Sequence, residues 1–241
     1  MGPPKHTWIK ESKERMLDIL KIAHRGASAY EPENTLRAIN RALQYPVDMV
    51  EIDVRQTRDE QVVVIHDETV ERTTNGRGYV NQMSLGELRK LDAGKGERIP
   101  TLQEVINLVK GRIGLVIELK DPETTHRVVE ILSENKFVDQ TIVTSFIHSA
   151  VERVKELDPQ LKTGVIFRSS PVKPPRFALD ANANALFPYY KCVTARMVED
   201  AHSNQLAVNV WAVDTREEIE HYVKMGVDGV VTNKPDLLKD L

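Results

Sequence analysis

The chain has 241 residues, 41% of them apolar and 29% charged, with a net charge of −3. That balance supports a sizeable core and excludes a global basic field, which argues against nucleic acid as the main partner. A single cysteine, Cys192, excludes a disulfide framework, and no apolar run reaches the ~20 residues that a membrane-spanning helix needs, so no stable membrane insertion is expected.

The opening stretch MGPPKHTWIKESKERMLDIL lacks the apolar core of a secretory leader, so a cytoplasmic protein is expected. Its Trp8, Ile9, Met16, Leu17 and Leu20 are interleaved with charges, so 1–20 reads as an amphipathic helix packed on the lower end of the fold. From residue 21, short β-branched runs alternate with helical patterns. Strands are expected at 21–25, 48–54, 114–119, 141–145, 162–167, 184–188, 206–212 and 227–232. Helices are expected at 32–44, 101–110, 124–135, 148–157, 195–204, 216–225 and 235–240. Pro32 stands at the first helical position of its segment, where a missing N–H costs nothing. Thr101, Thr215 and either Thr232 or Asn233 stand where N-caps are wanted. Eight strands at fairly even spacing predict an α/β fold, a closed parallel (β/α)₈ TIM barrel. Such a barrel takes ~250 residues, so 1–241 makes one domain.

Residues 55–113 break the rhythm. Arg58 to Gln61 is too short for a parallel crossover of ~12 residues. So 62–66 should run antiparallel to 54–57, as a β-hairpin above the barrel that returns His66 to the upper rim. Asp59-Glu60 in the turn excludes a glycine-built type I′ geometry. A small polar insertion follows at 67–98, with a turn at Asn75-Gly76 and a short helix near 84–91.

Barrel enzymes carry their sites at the C-terminal ends of the strands. There the sequence places His24 and Arg25, then Glu51 and Asp53, then His66 on the hairpin, then Glu118 and Lys120, and later Trp211 and Asp214. Glu51 and Asp53 are two apart and share one side of their strand, as do Glu118 and Lys120. Three carboxylates converging there repel one another. A hard divalent cation, Mg²⁺ or Ca²⁺, resolves that repulsion with oxygen ligands. The alternative is a salt-bridge ring with Arg25, Arg55 or Lys120. It is the better account of any one carboxylate and the poorer account of all three together. His24 and His66 suit an acid–base pair, one taking a proton while the other gives one. Joint Zn²⁺ ligation ranks lower among carboxylate neighbours. Arg25 and Lys120 add fixed positive charge suited to phosphate oxygens. Ser145 and Phe146 end a strand and help form an apolar wall. Arg168, Lys173 and Arg176 in RSSPVKPPR could greet an anion, but a solvated loop is the favoured reading. Tyr189 or Tyr190 offers an aromatic face to a quaternary amine, or simply packs.

As an ordered set, HRG and PENT (24–26, 32–35), VEIDVRQT and VVVIHD (50–57, 62–67), IELK (117–120), VWAVD (210–214) and VDGVVTNKP (227–235) resemble the bacterial glycerophosphodiester phosphodiesterases. The resemblance runs from about residue 22 to the C-terminus. It implies a metal-dependent barrel enzyme that hydrolyses small-molecule phosphodiesters such as glycerophosphocholine or glycerophosphoethanolamine to glycerol 3-phosphate and an alcohol. It implies His24 and His66 as general acid and base, and Glu51, Asp53 and Glu118 as metal ligands. It also implies Arg25 and Lys120 as phosphate contacts and Trp211 as a pocket wall. Glu33 and Asn34 either lie beside the site or support entry into the first helix. Two departures stand out: Ala212 and Asp214 where the family often has Thr and Asn, and Asp59-Glu60 where it carries Asp-Gly. Asp214 at the rim would favour a cationic alcohol such as choline. Two alternatives follow. A lysophospholipase D-like action on lipid diesters is opposed by the polar 67–98 stretch. A non-catalytic phosphodiester-binding barrel is opposed by the full set of histidines and carboxylates. The sequence does not reveal an oligomeric state.

Overall fold

A computed structural model describes residues 19–239 and 241. Its strands are β1 (Leu20–His24), β2 (Met49–Gln56), β3 (Val62–Val64), β4 (Gly114–Leu119), β5 (Thr141–Ser145), β6 (Lys162–Phe167), β7 (Ala185–Pro188), β8 (Ala207–Val210) and β9 (Gly229–Thr232). The helices between them are α1 (Leu36–Ala42), α2 (Leu85–Leu88), α3 (Leu102–Val109), α4 (Thr125–Glu134), α5 (His148–Leu157), α6 (Pro175–Asp180), α7 (Ala195–Ser203) and α8 (Arg216–Met225). β1 pairs in parallel with both β2 and β9, which closes the ring β1-β2-β4-β5-β6-β7-β8-β9. This is the TIM barrel that the strand spacing predicts.

β3 lies outside the ring, antiparallel on β2, with Val54 opposite Val64. In the joining turn Glu60 takes a left-handed φ of 60°, while Thr57 N donates to Gln61 O. The hairpin therefore turns without the glycine pair of a type I′ loop.

Strand side chains alternate between two environments. Ile22, Met49, Val116, Ile142, Ile166, Phe187 and Val231 point inward and fill the barrel. Val50, Ile52, Val54, Leu115 and Ile117 point outward into the larger core beneath the helices. α3 meets them with Leu102, Val105, Ile106 and Val109, all buried. Each such side chain contributes roughly 1.5–3 kcal/mol by leaving water. Gly164 on β6 is small by necessity: a Cβ there would stand 2.5 Å from the Phe187 ring.

Several expected boundaries shift. The helix expected over 1–20 falls outside the described residues except at its end, where Leu20 already opens β1. α1 starts at Leu36, not Pro32. Thr35 Oγ1 accepts from Ala38 N at 3.2 Å and donates to the Pro32 carbonyl, so the threonine caps and the proline only shapes the approach. Thr101 and Thr215 cap α3 and α8 as expected. The last segment is a short 3₁₀ turn, Pro235–Leu238, with no side-chain cap, so Asn233 is left for another purpose. α6 occupies the end of the stretch read as a loop, with prolines at its start. The 67–98 insertion is less purely polar than expected. Val70, Val80, Leu88 and Ala93 form a buried cluster with Val63, Ile65 and Ile99, seating the insertion against the hairpin. No helix among the described residues is long and apolar enough to cross a membrane.

Candidate active site

The inward register continues past the apolar floor. Two residues beyond Ile22, Met49, Val116 and Ile166 stand His24, Glu51, Glu118 and Arg168. Two further on lie Asp53 and Lys120. Strand pairing sets His24 beside Glu51 and Asp53 beside Glu118. A cavity of about 280 Å³ opens above them at the carboxyl ends of the strands. His24, Arg25, Glu51, His66, Glu118, Phe146, Arg168 and Trp211 are among the residues that line it. Asp53 and Lys120 are not among its lining residues.

One oxygen each from Glu51, Asp53 and Glu118 fall within 4.8 Å of one another, and all three residues are buried. Part of the anticipated salt-bridge ring exists. Lys120 Nζ reaches Glu118 Oε1 at 2.5 Å and Asp53 Oδ1 at 3.4 Å, and Arg25 Nε lies 3.1 Å from Asp53 Oδ2. Arg25 N donates to Glu51 Oε2, and Asn34 Nδ2 donates to Asp53 Oδ2. Arg55 takes no part in the ring: it holds Asp121 at 2.7 Å and the His66 carbonyl at 2.9 Å. Two cations do not satisfy three carboxylates. Glu51 Oε1 and Asp53 Oδ1 are buried without a hydrogen-bond partner. Burial first, and then the Asp53 charge, push the carboxyls of Glu51 and Glu118 well above the usual carboxylate range. Burial acts the same way on Asp53, but Arg25 and Lys120 outweigh it and hold Asp53 low. Orphaned, acid-only oxygens in this number fit a hard divalent cation.

Both histidines are held through Nδ1. His24 Nδ1 lies 2.7 Å from Asn233 Oδ1. Asp214 can only accept, so Asn233 must turn its Nδ2 toward Asp214 Oδ2 and its Oδ1 toward His24. That makes His24 Nδ1 the donor and points Nε2 at Glu51 Oε2, 3.7 Å away. His66 Nδ1 donates to Asp67 Oδ1 at 2.6 Å. Burial lowers the pKa of both imidazoles; Arg25 adds to this at each, while Asp53 opposes it. Arg72, from the insertion, binds Asp67 Oδ2 and both oxygens of Glu33, and Glu33 also accepts from Arg25 Nη1 at 2.8 Å. The Arg72 hydrogen bond, with that of His66, depresses the Asp67 carboxyl. Glu33 and Asn34 thus do both things the sequence left open: they shape the approach to α1 and they brace the site. Arg25 sits at a left-handed φ of 55° where the strand turns into that loop.

The far wall is aromatic. Phe146 meets Trp211 edge-on at 5.6 Å, and Tyr189 meets Trp211 at 5.4 Å. Trp211 Nε1 donates to the Phe187 carbonyl, which fixes the indole. Two expectations are corrected here. Asp214 does not face the alcohol: its oxygens accept from Thr232 Oγ1, Asn233 N and Asn233 Nδ2. Tyr189 does not offer a free ring, because the Arg168 guanidinium covers it at 4.4 Å. Arg168 is exposed, as a solvated loop requires, but it also borders the cavity. Asn233 and Arg72 escaped sequence reasoning. Asn233 was detectable, since it lies two residues beyond inward-facing Val231. Arg72 was not, because nothing local marks it.

Fold and site together define a class, the TIM-barrel hydrolases with an acidic centre and paired histidines. The profile of the glycerophosphoryl diester phosphodiesterase family matches residues 24–237. A glycerophosphodiester phosphodiesterase of Caldanaerobacter subterraneus subsp. tengcongensis is 40% identical over 235 residues, covering 92% of this chain and 97% of that protein. An Oleispira antarctica phosphodiesterase, solved in complex with the product sn-glycerol-3-phosphate, matches with a TM-score of 0.85 at 30% identity, over 89% of this chain and 93% of that one. The glycerophosphodiester phosphodiesterase of Agrobacterium tumefaciens matches with a TM-score of 0.80 at 29% identity, over 91% and 98%. The chain belongs to the glycerophosphoryl diester phosphodiesterase family.

Proposed function

We propose that this protein, working as one barrel domain in the cytoplasm, hydrolyses glycerophosphodiesters to glycerol 3-phosphate and an alcohol. The observation that carries this reading is convergence: His24, His66, Glu51 and Glu118, remote in sequence, line one cavity, and an oxygen of buried Asp53 lies within 4.8 Å of those of the two glutamates. Glu51, Asp53 and Glu118 would hold Mg²⁺ or Ca²⁺. Such an ion supplies neutralisation of the trio and charge stabilisation of phosphoryl oxygens. Arg25 and Lys120 add fixed positive charge beside the same oxygens.

The chain's own groups move the protons. One imidazole removes a proton from the nucleophile, either a water or a hydroxyl of the substrate's glycerol. The nucleophile's oxygen bonds to phosphorus as the bond from phosphorus to the alcohol oxygen breaks. The other imidazole delivers a proton to that oxygen. Attack by the hydroxyl leaves a cyclic glycerol phosphate. A water then opens it by bonding to phosphorus as the ring bond from phosphorus to that hydroxyl's oxygen breaks and that oxygen takes up a proton. Either route thus consumes one water overall. Asn233 and Asp67 keep each Nδ1 proton in place, so the exchange runs through Nε2.

The test is release of glycerol 3-phosphate from glycerophosphoglycerol and glycerophosphocholine, with and without chelator. Release should stop on chelation, return with Mg²⁺ or Ca²⁺, and fall by at least about a hundredfold in His24→Ala and in His66→Ala. Release that ignores chelation would defeat the metal assignment. Full activity in either histidine variant would defeat the acid–base pair.

A further inference from the structure

The cavity has two unlike ends. At the reactive end every positive side chain is matched: Arg25 by Glu33 and Asp53, Lys120 by Glu118 and Asp53. Arg168 at the opposite wall is different. Among the described residues no acidic side chain pairs with it; its guanidinium rests on the face of Tyr189, 4.4 Å from the ring centroid. A guanidinium stacked this way is held in place while its N–H groups stay free in the plane to meet oxygen acceptors.

The same stacking changes what the aromatic wall can accept. A quaternary or primary ammonium is recognised by open aromatic faces. Here Tyr189 is covered by Arg168, and Phe146 faces the Lys120 ammonium at 5.9 Å. Trp211 is flanked by Phe146 and Tyr189. A cationic alcohol entering this end would find like charge and occupied rings. The acidic groups cannot compensate, because Asp214 faces Asn233 and the carboxylate trio lies at the other end. Glycerol, constant in every substrate, suits the oxygen-rich reactive end, which leaves the variable alcohol to the wall of Arg168.

We propose that Arg168 is a specificity-determining residue that selects glycerophosphodiesters whose alcohol carries its own negative charge and disfavours those whose alcohol is an amine or quaternary amine. This rests on the hydrolase reading above and specifies its substrate class. A charge-assisted hydrogen bond is worth enough to change kcat/KM about tenfold or more.

The test compares three diesters at low salt and fixed Mg²⁺: one whose alcohol is glycerol phosphate, then glycerophosphoglycerol, then glycerophosphocholine. The wild type should favour the first over the last by about tenfold or more, and added salt should narrow the gap. Arg168→Ala should level the three while keeping glycerophosphoglycerol within a few-fold of the wild type. Arg168→Lys should keep the order, and Arg168→Glu should invert it. A wild type that prefers the choline diester overturns the proposal, as does an Arg168→Ala that slows all three equally. If the wild type turns over none of the three, the hydrolase reading itself falls and takes this inference with it. Turnover with an order unmoved in every Arg168 variant sinks only the inference.

Discussion

At His24 the tautomer depends on an amide that the sequence offers only as a helix cap. Asn233 looks like the residue before a C-terminal helix, yet the segment after it is a 3₁₀ turn that needs no cap from it. Its inward register, two residues past Val231, brings it to His24, and Asp214 fixes which way its amide turns. His24, Glu51, Asp53, Glu118 and Lys120 were legible because they share a strand register with apolar neighbours. Asn233 shares it too, but an asparagine near a proline has a commoner local use, and that use masked it. Asp214 carries the complementary lesson: a carboxylate at a strand end invites a ligand, and here the neighbouring strand end takes it. Asp214→Asn removes the obligatory acceptor, so the Asn233 amide can flip and His24 Nδ1 loses its fixed proton. We expect kcat to fall about tenfold to a hundredfold with KM little changed, in the range seen when groups behind a functional imidazole are removed. Imidazole ¹⁵N shifts should show a mixture of tautomers at His24. Unchanged shifts together with unchanged kcat would mean that the amide does not set the tautomer.

Among the elements, those with buried faces were the ones that could be read. β4 is wholly buried and β2 is buried through Arg55, because one face fills the barrel and the other meets helices, so as far as Val54 and Leu119 their apolar runs are dense and interrupted only by the site's own acids. Caps with a following glutamate, such as Thr101 with Glu104, were equally plain. Prolines misled twice. Pro32 suggested a helix start three residues before the true cap, and the prolines of 171–175 concealed α6 behind a loop signature. In the insertion the apolar residues are too widely spaced to show a period, and only folding gathers Val70, Val80 and Leu88. The barrel interior makes a sharper claim on a single residue. Gly164 of β6 gives its space to the Phe187 ring, and on the other side Thr144 Cγ2 would stand 3.3 Å from a methyl group added at Gly164. Gly164→Ala should therefore cost about 1–3 kcal/mol by overpacking, lowering Tm by roughly 2–4 °C for each kcal/mol. Urea unfolding measures it. A variant as stable as the wild type would show that the ring can give way without loss.

For the molecule as a whole, the acidic centre ties stability to pH and to cations. Burial, then Asp53, raises the pKa of Glu51 and Glu118, so the folded state keeps protons there that the unfolded chain has already released. Where the unfolded state binds fewer protons, stability falls as pH rises. The cation-free protein should thus lose stability as pH climbs from the ordinary carboxylate range through the raised values of these two groups. Asp53 works in the opposite direction and in another window. Its depressed pKa contributes stability above the ordinary aspartate value, lost only as acid approaches the folded one. A divalent ion held by this trio would compete with the protons on Glu51 and Glu118, bind the folded state more tightly as they leave and add stability by mass action. The rise in Tm on adding Mg²⁺ or Ca²⁺ should accordingly grow from about pH 5 to about pH 8. Sodium at equal ionic strength should not reproduce it. Glu51→Gln removes one of the two raised carboxyls and one ligand, so it should flatten the cation-free pH dependence and shrink the cation-induced rise together. If the rise were the same at both pH values, or survived undiminished in Glu51→Gln, the ion would be binding somewhere other than this centre.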